Sequence, residues 1–177
     1  MKYFIGIVPP DHISRELIQI QKQFGDNRLE PHITLRPPVS PVQEEAWLDV
    51  IAKAASRINP FHIKLSGVGQ FGDRVLYVQV HAPGLQNLYD LLIPGLKEFE
   101  ETAGAQKQET YHPHLTLGRT WCGFSSEDFT GMSKLATEYL AAGKVSFVAQ
   151  DVRVYYKPSH QVRYQRFRDV PLGKIGA

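Results

Sequence analysis

"YHPHLTLGR", residues 111–119, sets a histidine two positions ahead of a threonine inside an otherwise apolar run. "EPHITLRPP", residues 30–38, repeats the arrangement. Successive side chains of a β-strand point to opposite faces, so His114 and Thr116 share one face and Leu115 and Leu117 take the other. His32 and Thr34 stand in the same relation to Ile33 and Leu35. Each strand thus has an aliphatic side suited to a core and a His/Thr side suited to a cleft. Two such sides set opposite each other would bring two imidazoles and two hydroxyls into one small space.

The surroundings of the two motifs follow a common order. Residues 2–8 read as a buried strand stopped by Pro9 and Pro10. Asp11 is placed to cap a helix with Ile13, Leu17, Ile20 and Phe24 on one face. The strand 32–36 is closed by Pro37 and Pro38, and an amphipathic helix over 43–58 turns Trp47, Val50, Ile51, Ala54 and Ile58 inward. Alternation at 61–65, a turn rich in glycine (Gly67, Gly69, Gly72) and a strand over 74–80 predict a hairpin. Residues 84–101 read as a helix kinked or split at Pro94 and Gly95. A polar stretch, 102–110, leads to the second motif. Ser125 or Ser126 then starts a helix burying Phe129, Met132, Leu135, Ala136, Tyr139 and Leu140, and strands near 145–156 and 163–168 follow. Strand, helix, His-x-Thr strand, helix, strands: the order occurs twice. It predicts an α+β fold, with antiparallel sheets covered on one face by helices.

Of the 177 residues, 42% are hydrophobic, which suits one compact domain or two small lobes sharing a core. The formal net charge of +2 is too small to require a nucleic-acid partner. Residues 144–177, however, hold seven Lys/Arg against Asp151 and Asp169. A basic surface there suits a polyanion, and a solvated basic edge fits equally well. Cys122 is the sole cysteine, which excludes an intrachain disulfide framework and points to a reducing compartment. No stretch has the pattern of a signal peptide or the length of a membrane span, so a soluble, cytoplasmic protein is expected.

The paired motifs suit an oxyanion. Threonine hydroxyls can donate to phosphoryl oxygens, and histidine holds both protonation states near neutrality. One neutral imidazole can take a proton from water while an imidazolium protonates the departing oxygen, each transfer giving roughly two to four powers of ten in rate. Arg36 and Arg119, just past their motifs, are candidates to neutralise phosphate charge without a metal. A zinc site on His112 and His114 lacks an acidic or thiol ligand at a familiar spacing. His112 either shares the face of His114 and touches substrate, or is an exposed residue before Pro113. A single His-x-Thr is ordinarily a half-buried polar pair. Two, inside PHITL and PHLTL at corresponding points of a repeated layout, favour the catalytic reading. Tyr155, Tyr156, Tyr164 and Phe167, interleaved with Arg153, Lys157, Arg163, Arg166 and Arg168, suit stacking and phosphate tracking on single-stranded RNA, or a strand pair with one buried face.

HITL and HLTL, together with "YFIGIVPP", "FHIKLSGVGQFGDRVLYVQV" and "HPHLTLGR", resemble the 2H phosphoesterase superfamily, named for its two His-x-Thr/Ser motifs. The likeness is to its branch of 2′-5′ RNA ligase-like proteins and 2′,3′-cyclic phosphodiesterases. It implies a single domain over 1–177, a bilobal duplicated α+β fold with two antiparallel sheets, helices outside, and the motifs in a cleft between lobes. It also implies chemistry without metal or cofactor on RNA ends or cyclic nucleotides, with no obligate protein partner. His114 is expected as base and His32 as acid, with Thr34 and Thr116 holding the phosphate. Phe71 in "GQFGDR" matches a position where the branch often has a Phe that can contact a base, and a core or turn aromatic fits it equally well; Arg119 follows a glycine as is common in the family, and Arg36 sits where members vary. The expected reaction opens a 2′,3′-cyclic phosphate to a 2′-phosphate. Reversible 2′-5′ RNA joining, hydrolysis of another cyclic phosphodiester such as ADP-ribose cyclic phosphate, and binding without turnover stay open.

Overall fold

The aliphatic sides of the two motif strands become the centre of one sheet. The computed structural model describes residues 1–25, 29–100, 110–158 and 163–173. In chain order it contains β1 (Lys2–Ile7), α1 (Asp11–Lys22), β2 (Ile33–Val39), α2 (Glu44–Ala55), β3 (Phe61–Phe71), β4 (Val75–His81), α3 (Pro83–Lys97) and β5 (His114–Arg119). A 3-10 turn at Thr120–Cys122 follows, then α4 (Ser126–Ala141), β6 (Ser146–Ala149), β7 (Asp151–Lys157) and β8 (Gln165–Pro171). The strands form a single curled antiparallel sheet in the order β6-β3-β4-β5-β2-β1-β7-β8. The expectation of two sheets is therefore corrected. The motif strands β2 and β5 pair with each other, Ile33 facing Leu115, and join the two four-stranded halves. Both side chains are fully buried, because their aliphatic faces pack best over a shared core.

Beyond that one pair the two strands separate, which leaves backbone carbonyls along the seam in need of donors. Side chains supply them. The buried Gln21 of α1 donates from Nε2 to the Leu117 carbonyl at 3.0 Å and to that of Thr116 at 3.4 Å. The Tyr111 hydroxyl donates to the Thr34 carbonyl at 3.1 Å. The divergence also explains why β2 continues through Pro37 and Pro38 instead of closing there. Both are exposed, on a stretch that no longer needs a donor toward β5.

The core lies between the sheet and the helices, with α1 packed against α4 and α2 against α3. Several local expectations shift. Asp11 opens α1 in its first turn, and Pro10 takes the cap position. Ser125 caps α4 through a reciprocal box with Asp128. Gly67 and Gly69 fall inside β3, whose hairpin turn comes later, after Phe71. Pro94 does not split α3, since the buried Leu92, Ile93 and Leu96 around it hold the helix to the core. Gly95 lets α2 and α3 approach, because a Cβ there would stand 2.9 Å from Val50 Cγ1. The expected 102–110 stretch lies almost wholly outside the described residues.

Leu115→Ala, at 0% exposure in the seam, is expected to cost about 2–5 kcal/mol in urea unfolding. Val148→Ala, on an exposed position of the edge strand β6, should change stability by no more than about 0.5 kcal/mol.

Candidate active site

With Ile33 opposite Leu115 in an antiparallel pair, His32 comes to the side of Thr116 and Thr34 to the side of His114. Each half of the sheet thus contributes one histidine and one threonine, crosswise. All four line one cleft of about 330 Å³ on the face away from the aliphatic core, together with Arg119.

The two imidazoles are held alike. Nδ1 of His32 lies 2.8 Å from the Glu30 carbonyl oxygen, and Nδ1 of His114 lies 2.8 Å from that of His112. A carbonyl oxygen only accepts, so Nδ1 carries the proton in both rings, and Nε2 of the neutral ring keeps its lone pair. The sequence reason is the proline in Glu30-Pro31-His32 and His112-Pro113-His114. It keeps the preceding residue extended and turns that residue's carbonyl toward the histidine.

Around this common anchor the sites differ. His32 packs on Phe4, ring centroids 5.1 Å apart, and Phe4 stacks on Tyr155 at 4.3 Å. Behind it the Glu30 carboxylate accepts from the Tyr155 hydroxyl at 2.6 Å and from Arg153 at 2.7 Å. Arg153 in turn pairs with Asp169 at 2.7 Å. Burial pushes the His32 pKa down from 6.5 to about 4, against the Glu30 carbonyl, with the positive charges of Arg119 and His114 adding to the fall. His114 is edge-on to Phe71 at 4.9 Å and lies near Tyr77 at 5.4 Å. Its pKa is also lowered, by burial first and then by Arg119 and His112, against its own carbonyl bond. Arg119 reaches Thr116 Oγ1 with Nη2 at 3.4 Å, so its charge stands beside both motifs.

A model of the 2′-5′ RNA ligase superfamily matches residues 9–123. The chain belongs to that superfamily, the 2H phosphoesterases. Relatives of this 2H phosphoesterase include proteins named RNA 2′,3′-cyclic phosphodiesterase from Bacillus subtilis (strain 168) and Methanocaldococcus jannaschii. The first is 33% identical over 135 residues, 68% of this chain and 72% of the relative. The second is 33% identical over 128 residues, 67% of this chain and 71% of the relative. Among solved structures, that of TT0787 from Thermus thermophilus shares the fold, with a TM-score of 0.70 at 18% identity. That alignment covers 99% of this chain and 100% of the other.

The other anticipated residues of this 2H phosphoesterase fall in different places. Phe71 is part-exposed outside the cleft, stacked on Tyr77 at 4.3 Å. The exposed His112 has its ring 6.4 Å from that of His114 and 5.4 Å from that of Phe71, and its closest tie to the site is its carbonyl. Among the described residues no group of three His, Cys, Asp or Glu side chains could hold a metal ion. None of the described helices is long and apolar enough to cross a membrane. Arg36 is a correction. It does not line the cleft, because bulges in the β1–β2 register, between the pairs Gly6↔Thr34 and Ile5↔Arg36 and again before Tyr3↔Val39, break the alternation. Its guanidinium pairs with the buried Glu100 through two nitrogens, Nε at 3.0 Å, and Glu100 also accepts from Trp47 at 3.1 Å.

Motif reading missed Phe4 and Glu30 as parts of the site, whereas Tyr155, Arg163 and Tyr164 belong to the aromatic and basic series that the sequence offered either as an RNA-facing surface or as a strand pair with one buried face. His62 and Lys64 are exposed on β3, and His160 lies outside the described residues.

Arg36→Met leaves Glu100, 4% exposed, without its cation and is expected to cost about 3–5 kcal/mol in denaturant melts while leaving KM little changed. For pH, folded His32 takes up its proton near pH 4, and the unfolded residue does so near 6.5. The unfolded state therefore binds more protons across that window, and stability falls as pH drops through it, by up to about 3 kcal/mol. His32→Phe should remove that part of the pH dependence of Tm.

Proposed function

We propose that this 2H phosphoesterase opens 2′,3′-cyclic phosphates at RNA ends or on nucleotides, leaving a 2′-phosphate, and that residues 1–177 act as one unit of two lobes. The observation that carries this is the pair of imidazoles, each with Nδ1 tied to a carbonyl, sharing one cleft with two threonines and an arginine. The relatives named RNA 2′,3′-cyclic phosphodiesterase support the choice of substrate.

Thr34, Thr116 and Arg119 receive the phosphate oxygens. His32, with the strongly lowered pKa, is neutral at working pH and takes the proton from water through Nε2 as the water oxygen attacks phosphorus. The bond from phosphorus to the 3′ oxygen breaks, and that oxygen receives the proton of the His114 imidazolium. This order reverses the expectation from resemblance. Its support is the deeper burial behind His32, where Phe4, Tyr155 and the Glu30–Arg153 pair close the ring off, whereas His114 leans on the part-exposed Phe71. The substrate's negative charge draws protons back onto both rings, so the bound enzyme titrates at higher pH than the free one.

With EDTA present, a short RNA ending in a 2′,3′-cyclic phosphate should be converted to a 2′-phosphate end. His32→Ala and His114→Ala should each lose about two to four powers of ten in kcat/KM. The wild-type kcat/KM profile should be bell-shaped, rising through a limb near pH 4 and falling through one below 6.5. A profile flat across the histidine range, or joined RNA as the main product, would overturn the reading.

A further inference from the structure

The two histidines are mounted by different means. His114 opens β5 and pairs with Gln79 of β4, so the ladder fixes its backbone. His32 stands one residue before β2, whose register with β1 starts at Ile33 opposite Ile7. Its ring depends on the Glu30 carbonyl, and Glu30 lies further still from the ladder. What fixes Glu30 comes from the far side of β1. Arg153 of β7 faces Gly6 of β1 on one side and Asp169 of β8 on the other. Every nitrogen of its guanidinium is committed. Nε and Nη2 donate to the two Asp169 oxygens at 2.7 and 2.8 Å, and Nη1 donates to Glu30 Oε1 at 2.7 Å. The two-point grip on Asp169, which also pairs with Arg166, sets the direction of the third nitrogen. To reach Glu30 the arginine passes over Gly6, where a Cβ would stand 3.0 Å from the Ile33 carbonyl oxygen and 3.5 Å from His32 Cδ2. The Tyr155 hydroxyl holds the same Glu30 oxygen at 2.6 Å. Pro31 keeps the Glu30 backbone extended, so a grip on the carboxylate is carried to the carbonyl.

We propose that Arg153, set by Asp169, is a positioning residue for His32: by gripping Glu30 from across β1 it holds the carbonyl that keeps the ring proton on Nδ1 and aims Nε2 into the cleft. The role rests on the proposed function, in which that Nε2 takes the proton from water. The charged and titratable groups that face His32 are Glu30, Arg119 and His114 of β5, and Tyr155 of β7. Without Arg153 the Glu30 charge loses its counterion and water gains access behind the ring, and both changes favour the imidazolium.

Two readouts separate this role from plain support of the fold. In protein labelled with 15N-histidine, two-bond proton–nitrogen spectra of the neutral wild type should show His32 and His114 protonated at Nδ1 alone. Arg153→Met should mix the His32 tautomers and move its titration midpoint up toward 6.5, with that of His114 unmoved. On the short RNA ending in a 2′,3′-cyclic phosphate, kcat should fall about ten- to a hundredfold with KM within about twofold. The acid limb of the pH profile should rise with the His32 midpoint. Arg153→Lys, which restores a cation beside Glu30 without the two-point grip, should recover part of the loss. Should Arg153→Met not fold, Asp169→Asn, which leaves the β7–β8 ladder and the Arg153 charge in place, should give the same changes in smaller measure. A lowered Tm with the His32 tautomer, its midpoint and kcat all unchanged would make Arg153 a structural tie and overturn the proposal. Equal shifts at both histidines would overturn it too. If the wild type cleaves the RNA and the His32 spectra ignore the substitution, the positioning role fails and the function stands. If nothing is cleaved and the His32 spectra alone still move, the proposed function fails and the positioning stands.

Discussion

One pairing, Ile33 against Leu115, organises the molecule. It is apolar on the core side, so burial enforces it, and on the other side it sets the crosswise order of His32, Thr116, Thr34 and His114. Were the seam a full ladder, the two strands would run flush and the polar side chains would lie along a closed surface. Because it is short, the halves of the sheet splay and a cleft opens at the join. The carbonyls exposed by the splay are met by Gln21 and Tyr111, so the opening is built into the fold without leaving buried acceptors unpaired. The hydrophobic effect supplies the join, and side-chain hydrogen bonds allow it to be incomplete.

The electrostatics of the cleft follow from the same placement. Sinking two imidazoles and a guanidinium into one recess disfavours the charged imidazoles, and Arg119 deepens that effect at both rings. Under the proposed function, an arriving phosphate would relieve it. Arg119, the charge that helps to hold both imidazoles neutral, is also the one that a bound phosphate would meet under the proposed function, so binding there would be coupled to protonation of the two rings.

What could be read from the residues was what depends on period and on repetition. The side-chain alternation in PHITL and PHLTL correctly separates a core face from a polar face. The helical spacing of Ile13, Leu17 and Ile20, or of Phe129, Met132 and Ala136, identifies helices that do bury those residues. What escaped depends on irregularity or on distance. Arg36 looked equivalent to a cleft residue until bulges against β1 broke the count, and it then found the buried Glu100, sixty-four positions away. The union of two sheets into one is set by a contact between residues 33 and 115, which no local pattern contains. Glu30 reads as an ordinary polar residue before a proline. Its importance comes from Tyr155 and Arg153, which meet it only once β7 is in place.

The position of β1 has a consequence for how the protein is made. This strand pairs with β2 on one side and with β7 on the other, so one of its edges can be closed only after residues beyond 150 have been synthesised. Until then a run of Tyr3, Phe4, Ile5 and Ile7 presents unpaired backbone at the growing sheet. The strands β3, β4 and β5, by contrast, lie within residues 61–119 and can assemble much earlier. The strands that mount His114 can therefore pair before α4 and β6 are added, while the floor under His32, the Phe4–Tyr155 stack, is still waiting for its second ring. A nascent chain released before β7 would keep one histidine properly mounted and expose a sticky edge where the other belongs, making the segment that finishes the site also the one that protects the chain from aggregation.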